Sequence, residues 1–423
     1  ALSSAASDVY KRQIIYIVLA LTFGYTMIVA ETAIGRMTRK SPVGAFKSFG
    51  KKKWLSFGGW INAVIPVLIV PYYSVIGGWV IKYLVEYFRG NAKLLAEDGY
   101  FTDFISNGVS TELCFVAFCA FTLIIIFAGV QNGIERVSKI MMPILIVLSV
   151  IIAVYSVTRP GALAGVKYFL VPNVKNFSWM TVVSAMGQMF YSLSIAMGIL
   201  ITFGSYMKKD TAIEDSTRNV EVFDTGIAIM AGLMIIPAVF AFSGGDPDTL
   251  QAGPSLMFIT IPKVFQNMGF GTVIGIVFFL LVLFAAVTSS IALTESAVST
   301  FEDELGWGRK KATVLVGVIM LVLGSLSSLG YGPLAGIKII GMQFLDLFDF
   351  LTNSVMMPIA ALLTSLLVSR VVGIDKIEEE IIHGESAFRR KKVFVVMIKY
   401  LCPVFAIIIL LSSVANALGW IKM

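Results

Sequence analysis

Residues 185–206 read AMGQMFYSLSIAMGILITFGSY, a run apolar enough to cross a bilayer that still carries Gly187, Gly198 and Gly204 together with Ser192 and Ser194. A helix in lipid must satisfy its own backbone, because hydrocarbon offers no hydrogen-bond partner. Small residues at this density therefore admit two readings. They let a neighbouring helix approach closely, or they interrupt the helix at mid-membrane, where freed carbonyls suit cations and helix ends suit carboxylates. Both readings stay open on these residues alone, and the choice between them decides the fold.

The rest of the chain is also built for lipid. Of its 423 residues 57% are hydrophobic and 14% charged, and the mean hydropathy is +0.86. That is outside the range of soluble domains. Ten apolar stretches are expected to span: 14–36, 55–88, 111–129, 140–157, 179–206, 220–242, 271–301, 312–329, 339–370 and 393–418. The proline-punctuated run GPSLMFITIPKVFQNM, 253–268, is too short to cross and reads as a re-entrant or surface hairpin. Cys114, Cys119 and Cys402 lie in apolar runs at spacings that suit neither a disulfide framework nor zinc, and His383 is the only histidine.

Alternate loops hold 21 of the lysines and arginines, far more than the loops between them. Cytoplasmic loops carry such an excess, so the first span runs inward and the residues before Ile14 lie outside. The net charge of +7 is mostly this bias and not a nucleic-acid footprint. An outside N-terminus without a signal peptide is awkward. Ser3 to Gln13, SSAASDVYKRQ, is letter for letter the translation of a sequencing-library transposon adapter. Residues 1–13 are therefore read as an artefactual leader, with a native helix expected upstream of Ile14.

Ionisable side chains at the bilayer centre cost about 2.5–3.5 kcal/mol even on insertion scales and are functional candidates. Glu31, Asp224, Glu295, Asp346 and Asp349 qualify. Asp224 is the sharpest: it stands in an apolar helix with no basic residue one turn away, so it must neutralise or find a cation. The run FAAVTSSIALTES, 284–296, places Thr288, Ser289 and Ser290 in mid-span. Those hydroxyls can bond their own helix or ligate a hard cation such as sodium.

The runs AETAIGR, PYYSVIGGW, GIERVSKIMMP, GQMFYSLSIAMG, IPKVF, TSSIAL with FEDELG, and LDLFDF occur in that order from Ala30 to Phe350. Together they resemble the neurotransmitter:sodium symporter family, in its bacterial amino-acid transporter branch. The resemblance implies an all-α, polytopic, inverted-repeat fold like that of the leucine transporter, a fold that the general rule for broken-helix transporters is itself drawn from. About ten spans are present and the family's first helix is missing. Residues 14–178 would be the remaining four helices of the first repeat, 179–371 the five of the second, and 372–423 a cytoplasmic loop and final helix.

Site roles are likewise what the resemblance implies. Ser192 and Asp224 match ligands of a first sodium ion, with aspartate where many relatives have asparagine, which implies independence of chloride. The Ala285 carbonyl and the Thr288 and Ser289 hydroxyls match a second sodium site. Tyr73 matches the tyrosine that meets the substrate carboxylate. Ile69, Tyr191, Ser194, Met197, Ser289 and Leu293 match the side-chain pocket, Gln188 and Asp349 the outer gate, and Tyr206 and Asp303 the inner gate. Met197 replaces a common phenylalanine and would admit larger side chains, whereas Ala196, at a frequent glycine, pulls the other way.

The implied function is sodium-coupled symport of a hydrophobic or aromatic amino acid into the cell across the inner (plasma) membrane. Two sodium ions with a zwitterion move two charges, about 4.6 kcal/mol per 100 mV or ~10³-fold accumulation. The chain as it stands is expected to be inactive, because the missing helix would supply ligands to both ions. A non-transporting amino-acid sensor on the same fold is the alternative. A channel would want a ring of like residues along its pore, and an intramembrane enzyme a nucleophile with an aligned base; neither pattern is present. The expected partners are an amino acid, sodium and the lipid bilayer, with no nucleic acid; oligomeric state is open.

Overall fold

The computed structural model describes residues 15–171, 179–244 and 253–417. The leader Ser3 to Gln13 lies outside them. Among the described residues the chain is helical throughout, with one isolated bridge between Ile339 and Met342. The elements that place the site are α1 (Ile15–Thr38), α2 (Pro42–Lys47), α3 (Lys53–Phe88), α4 (Gly108–Phe127), α5 (Val130–Val157), α6 (Trp179–Ser192), α7 (Ile199–Tyr206), α8 (Ile213–Ser243), α9 (Leu256–Gln266), α10 (Gly271–Leu305), α11 (Arg309–Leu329), α12 (Phe344–Val372), α13 (Ile374–Ile382) and α14 (Lys391–Asn416). Nine of these described helices are long and apolar enough to cross a membrane uninterrupted. The tenth expected span is the pair α6 and α7, two short helices with a gap.

The expected hairpin at 253–268 is corrected. Gly253 turns the chain with φ +66°, and the rest forms a single short helix, α9, capped by a turn at Asn267. Pro262 lies inside α9, just after its π-helical stretch Leu256–Thr260, and the Phe258 carbonyl four residues before it takes the Tyr83 hydroxyl instead of an amide, so the proline is carried within a helix and does not turn the chain. α9 is seated on α3: Tyr83 donates to the Phe258 carbonyl at 2.7 Å, and the Phe258 ring stacks with Phe101 and meets Trp79 edge-on.

The longest helices, α3 and α10, pack along each other at the centre, with α4 and α11 against α3. α1 packs along α7 and also touches α8, while α12 packs along α14. Glycines make the α1–α7 approach possible. A methyl at Gly35 would overlap the Ile201 carbonyl, and one at Gly204 would lie 2.6 Å from the Thr32 carbonyl oxygen. Gly204 is therefore a packing glycine. In lipid, where apolar burial gives helices little reason to associate, such backbone-to-backbone contact is what holds them.

Candidate transport site

Helix α6 ends at Ser192 and α7 begins at Ile199. Between them Ser194, Ala196 and Gly198 adopt left-handed backbone, with φ of 54°, 58° and 73°. Only glycine takes that conformation without strain. The two non-glycine residues must be held by their surroundings. One holder is visible: the buried Glu31 of α1 accepts the Ala196 N–H at 2.8 Å. At Gly198 a side chain has no room either, since a methyl would sit 2.7 Å from Pro42 and 2.8 Å from the Asn62 carbonyl oxygen. The span is broken, and of its three glycines only Gly198 stands in the break.

The end of α6 faces α8. Ser192 Oγ donates to Asp224 Oδ1 at 2.6 Å, and the Tyr16 hydroxyl of α1 donates to Oδ2. Among the described residues Asp224 has no basic partner; its donors are two neutral hydroxyls. The two oxygens of an acid so placed, with a serine hydroxyl beside them, suit a small hard cation. Ser192 and Asp224 are thus brought together as expected. Tyr16 was not anticipated: a single tyrosine in an apolar run gives no signal until the fold turns it towards an acid 208 residues away.

On α10 the Thr288 hydroxyl lies 3.0 Å from the Ala285 carbonyl and 3.1 Å from that of Phe284. The two expected oxygens are adjacent, with the hydroxyl bonded to its own helix. The next hydroxyls diverge. Ser290 is buried against Thr122 of α4 at 3.1 Å, whereas Ser289 is exposed beside Tyr73.

The expected pocket residues divide by depth. Ile69, Met197 and Leu293 are in the core, Tyr73 and Ser194 are half-buried, and Tyr191 is 37% exposed beside Tyr72, Tyr73 and Asp349. At the outer gate Asp349 accepts from Asn353 Nδ2 at 2.5 Å and from the Tyr72 hydroxyl at 3.2 Å. No bond joins it to Gln188, which is exposed. At the inner gate Tyr206 and Asp303 bind different partners. Tyr206 donates to Glu295 at 2.8 Å, and Asp303 accepts the Ser41 N–H at 2.6 Å, just before α2. Glu295, fully buried, is neutralised by Arg309, whose two terminal nitrogens reach it at 2.5 and 3.1 Å. Asp346 accepts from Tyr331 at 3.2 Å.

A helical membrane bundle whose central span is broken beside an uncompensated carboxylate defines a membrane transporter. A sequence profile of the sodium:neurotransmitter symporter family matches residues 101–420. The uncharacterized sodium-dependent transporter YhdH of Bacillus subtilis is 32% identical over 405 residues, covering 95% of this chain and 89% of its own length. The sodium- and chloride-dependent GABA transporter 2 of Macaca fascicularis is 24% identical, over 86% of this chain and 67% of its own. The crystal structure of MhsT in complex with L-phenylalanine superposes with a TM-score of 0.84 at 32% identity, covering 97% of this chain and 94% of that one. The chain belongs to the sodium:neurotransmitter symporter family and has the leucine-transporter-like fold; members of this family are transporters, not enzymes.

Proposed function

We propose that this sodium-dependent symporter carries a hydrophobic or aromatic amino acid inward across the plasma membrane, with two sodium ions and without chloride. The observation that carries the reading is the Asp224 carboxylate, held by Ser192 and Tyr16 at the break and lacking a basic partner. A fixed negative charge there can neutralise the first cation without a mobile anion. The Ala285 carbonyl and Thr288 hydroxyl, 3.0 Å apart, form the second candidate pair. The bound L-phenylalanine in the MhsT structure supports an apolar substrate, as does the apolar lining of Ile69, Met197 and Leu293.

Coupling follows from linkage. A cation that binds more tightly when the site is closed over substrate must raise substrate affinity by the same factor. The test is uptake of labelled L-phenylalanine, L-leucine and L-tryptophan into proteoliposomes containing the purified protein. Accumulation should follow an inward sodium gradient and survive replacement of chloride by gluconate. Uptake that is indifferent to sodium sinks the proposal, and sodium-dependent binding without accumulation would point to a sensor.

A further inference from the structure

A cluster apart from the transport site joins three segments on the face that carries the basic loops. Arg36, in the last turn of α1, is fully buried. Its Nε donates to Glu380 Oε1 at 2.6 Å, its Nη1 to the Thr211 carbonyl at 2.5 Å, and its Nη2 to the Glu380 carbonyl. The other Glu380 oxygen takes Lys209 Nζ at 2.9 Å. Nearby, Arg39 donates to the carbonyls of Met207 and Ser205 at 2.5 and 3.1 Å. The end of α1 thus grips the end of α7 and its link to α8. Glu380 ties α13 to the same grip.

Independent contacts seat the whole α12–α14 connection there. Ile377 and Ile381 of α13 are buried. A methyl at Gly384 would lie 2.5 Å from the Thr211 carbonyl oxygen, so backbone rests on backbone. Glu385 accepts the Glu214 N–H at 2.5 Å, and Glu214 accepts the N–H groups of Arg389 and Arg390 at 2.7 and 3.1 Å. This connection is covalently part of the α12 and α14 pair, whereas α1 packs chiefly along α7. The Arg36–Glu380 bond therefore crosses between two groups of helices.

We propose that Arg36 and Glu380 are positioning residues for transport: they fasten the α12–α14 connection onto α1 and α7, keeping the basic face closed until the bond is released. The inference rests on the transport reading above. Arg36 has no water to fall back on, so losing the Glu380 carboxylate leaves a buried, uncompensated cation. The half-exposed Lys209 needs no such partner and offers a milder perturbation.

The test uses a buried reporter in the seam between α7 and α10, where Thr202 and Ser299 hydroxyls lie 3.3 Å apart. Ser299→Cys, with Cys114→Ser to lower background, is labelled by a membrane-impermeant maleimide in inside-out vesicles. Labelling should quicken about tenfold with Glu380→Gln and about threefold with Lys209→Ala, as weakened coupling predicts. Unchanged labelling in Lys209→Ala overturns the proposal even if Glu380→Gln fails to fold. So does unchanged labelling in a Glu380→Gln protein that reaches the membrane in normal amount. Because labelling needs no substrate, expected labelling rates on the Ser299→Cys, Cys114→Ser background in a protein that takes up none of L-phenylalanine, L-leucine and L-tryptophan would sink the transport reading and leave the fastening intact.

Discussion

Asp224→Asn removes the carboxylate beside Ser192 while keeping shape, and its effect on sodium can be worked from the geometry. Opposite unit charges about 4 Å apart attract by about 4 kcal/mol at an effective dielectric of about 20. Part of that is already taken. Before a cation can use Ser192 as an oxygen ligand, the hydroxyl must turn its proton away from Asp224 Oδ1, which it now meets at 2.6 Å. A hydrogen bond to a charged group is worth about 1.5–3 kcal/mol. The net contribution of the charge is therefore about 2 kcal/mol, or a ~30-fold weaker half-saturating sodium concentration in the variant. Sodium titration of L-phenylalanine uptake in chloride-free proteoliposomes measures it. Added chloride should recover part of the loss, because a mobile anion can stand where the carboxylate stood. A shift under about threefold would mean that Asp224 is held by its hydroxyls for structure and does not face the ion.

Other expectations follow from the same site and its supports. Gly35→Ala drives a methyl into the Ile201 carbonyl and should cost about 1–3 kcal/mol as overpacking, seen as a lower unfolding midpoint in detergent; an unchanged midpoint would show that α1 and α7 can separate freely. Thr288→Val removes the hydroxyl beside the Ala285 carbonyl and should raise the sodium requirement about tenfold, in line with one lost ligand, with expression intact. If uptake keeps its wild-type sodium dependence, Thr288 serves only its own helix. Met197→Phe places a rigid ring at a core position of the pocket, so competition assays should shift from L-tryptophan towards smaller apolar amino acids; an unaltered rank order would place Met197 away from substrate.

Much of the site could be read in advance where polarity breaks an apolar run. Asp224 stands out because nothing around it in the chain can compensate it, whereas the glycine and serine density at 185–206 suits close packing as well as a break. The division of labour among the glycines could not be read, since Gly198 with its φ of 73° and Gly204 against Thr32 look alike in one dimension. Tyr16 and the partners of Glu295 were hidden for a related reason. A phenol or an arginine near a helix end acquires meaning only when folding brings an acid to it, as Arg309 is brought to Glu295. Pro262 misled in the opposite direction, because proline usually punctuates a turn, and a helix that carries one in its interior after a π-helical stretch is known only once the helix is seen.

Ala196 keeps a methyl group at a backbone angle where glycine would rest at ease, a preference of about 1–2 kcal/mol against alanine. That methyl is wholly enclosed, so it fills volume that glycine would surrender. A change to glycine there would relax the main chain and leave a void the size of that methyl, so natural variation at this one position would adjust backbone ease and close packing as a linked pair.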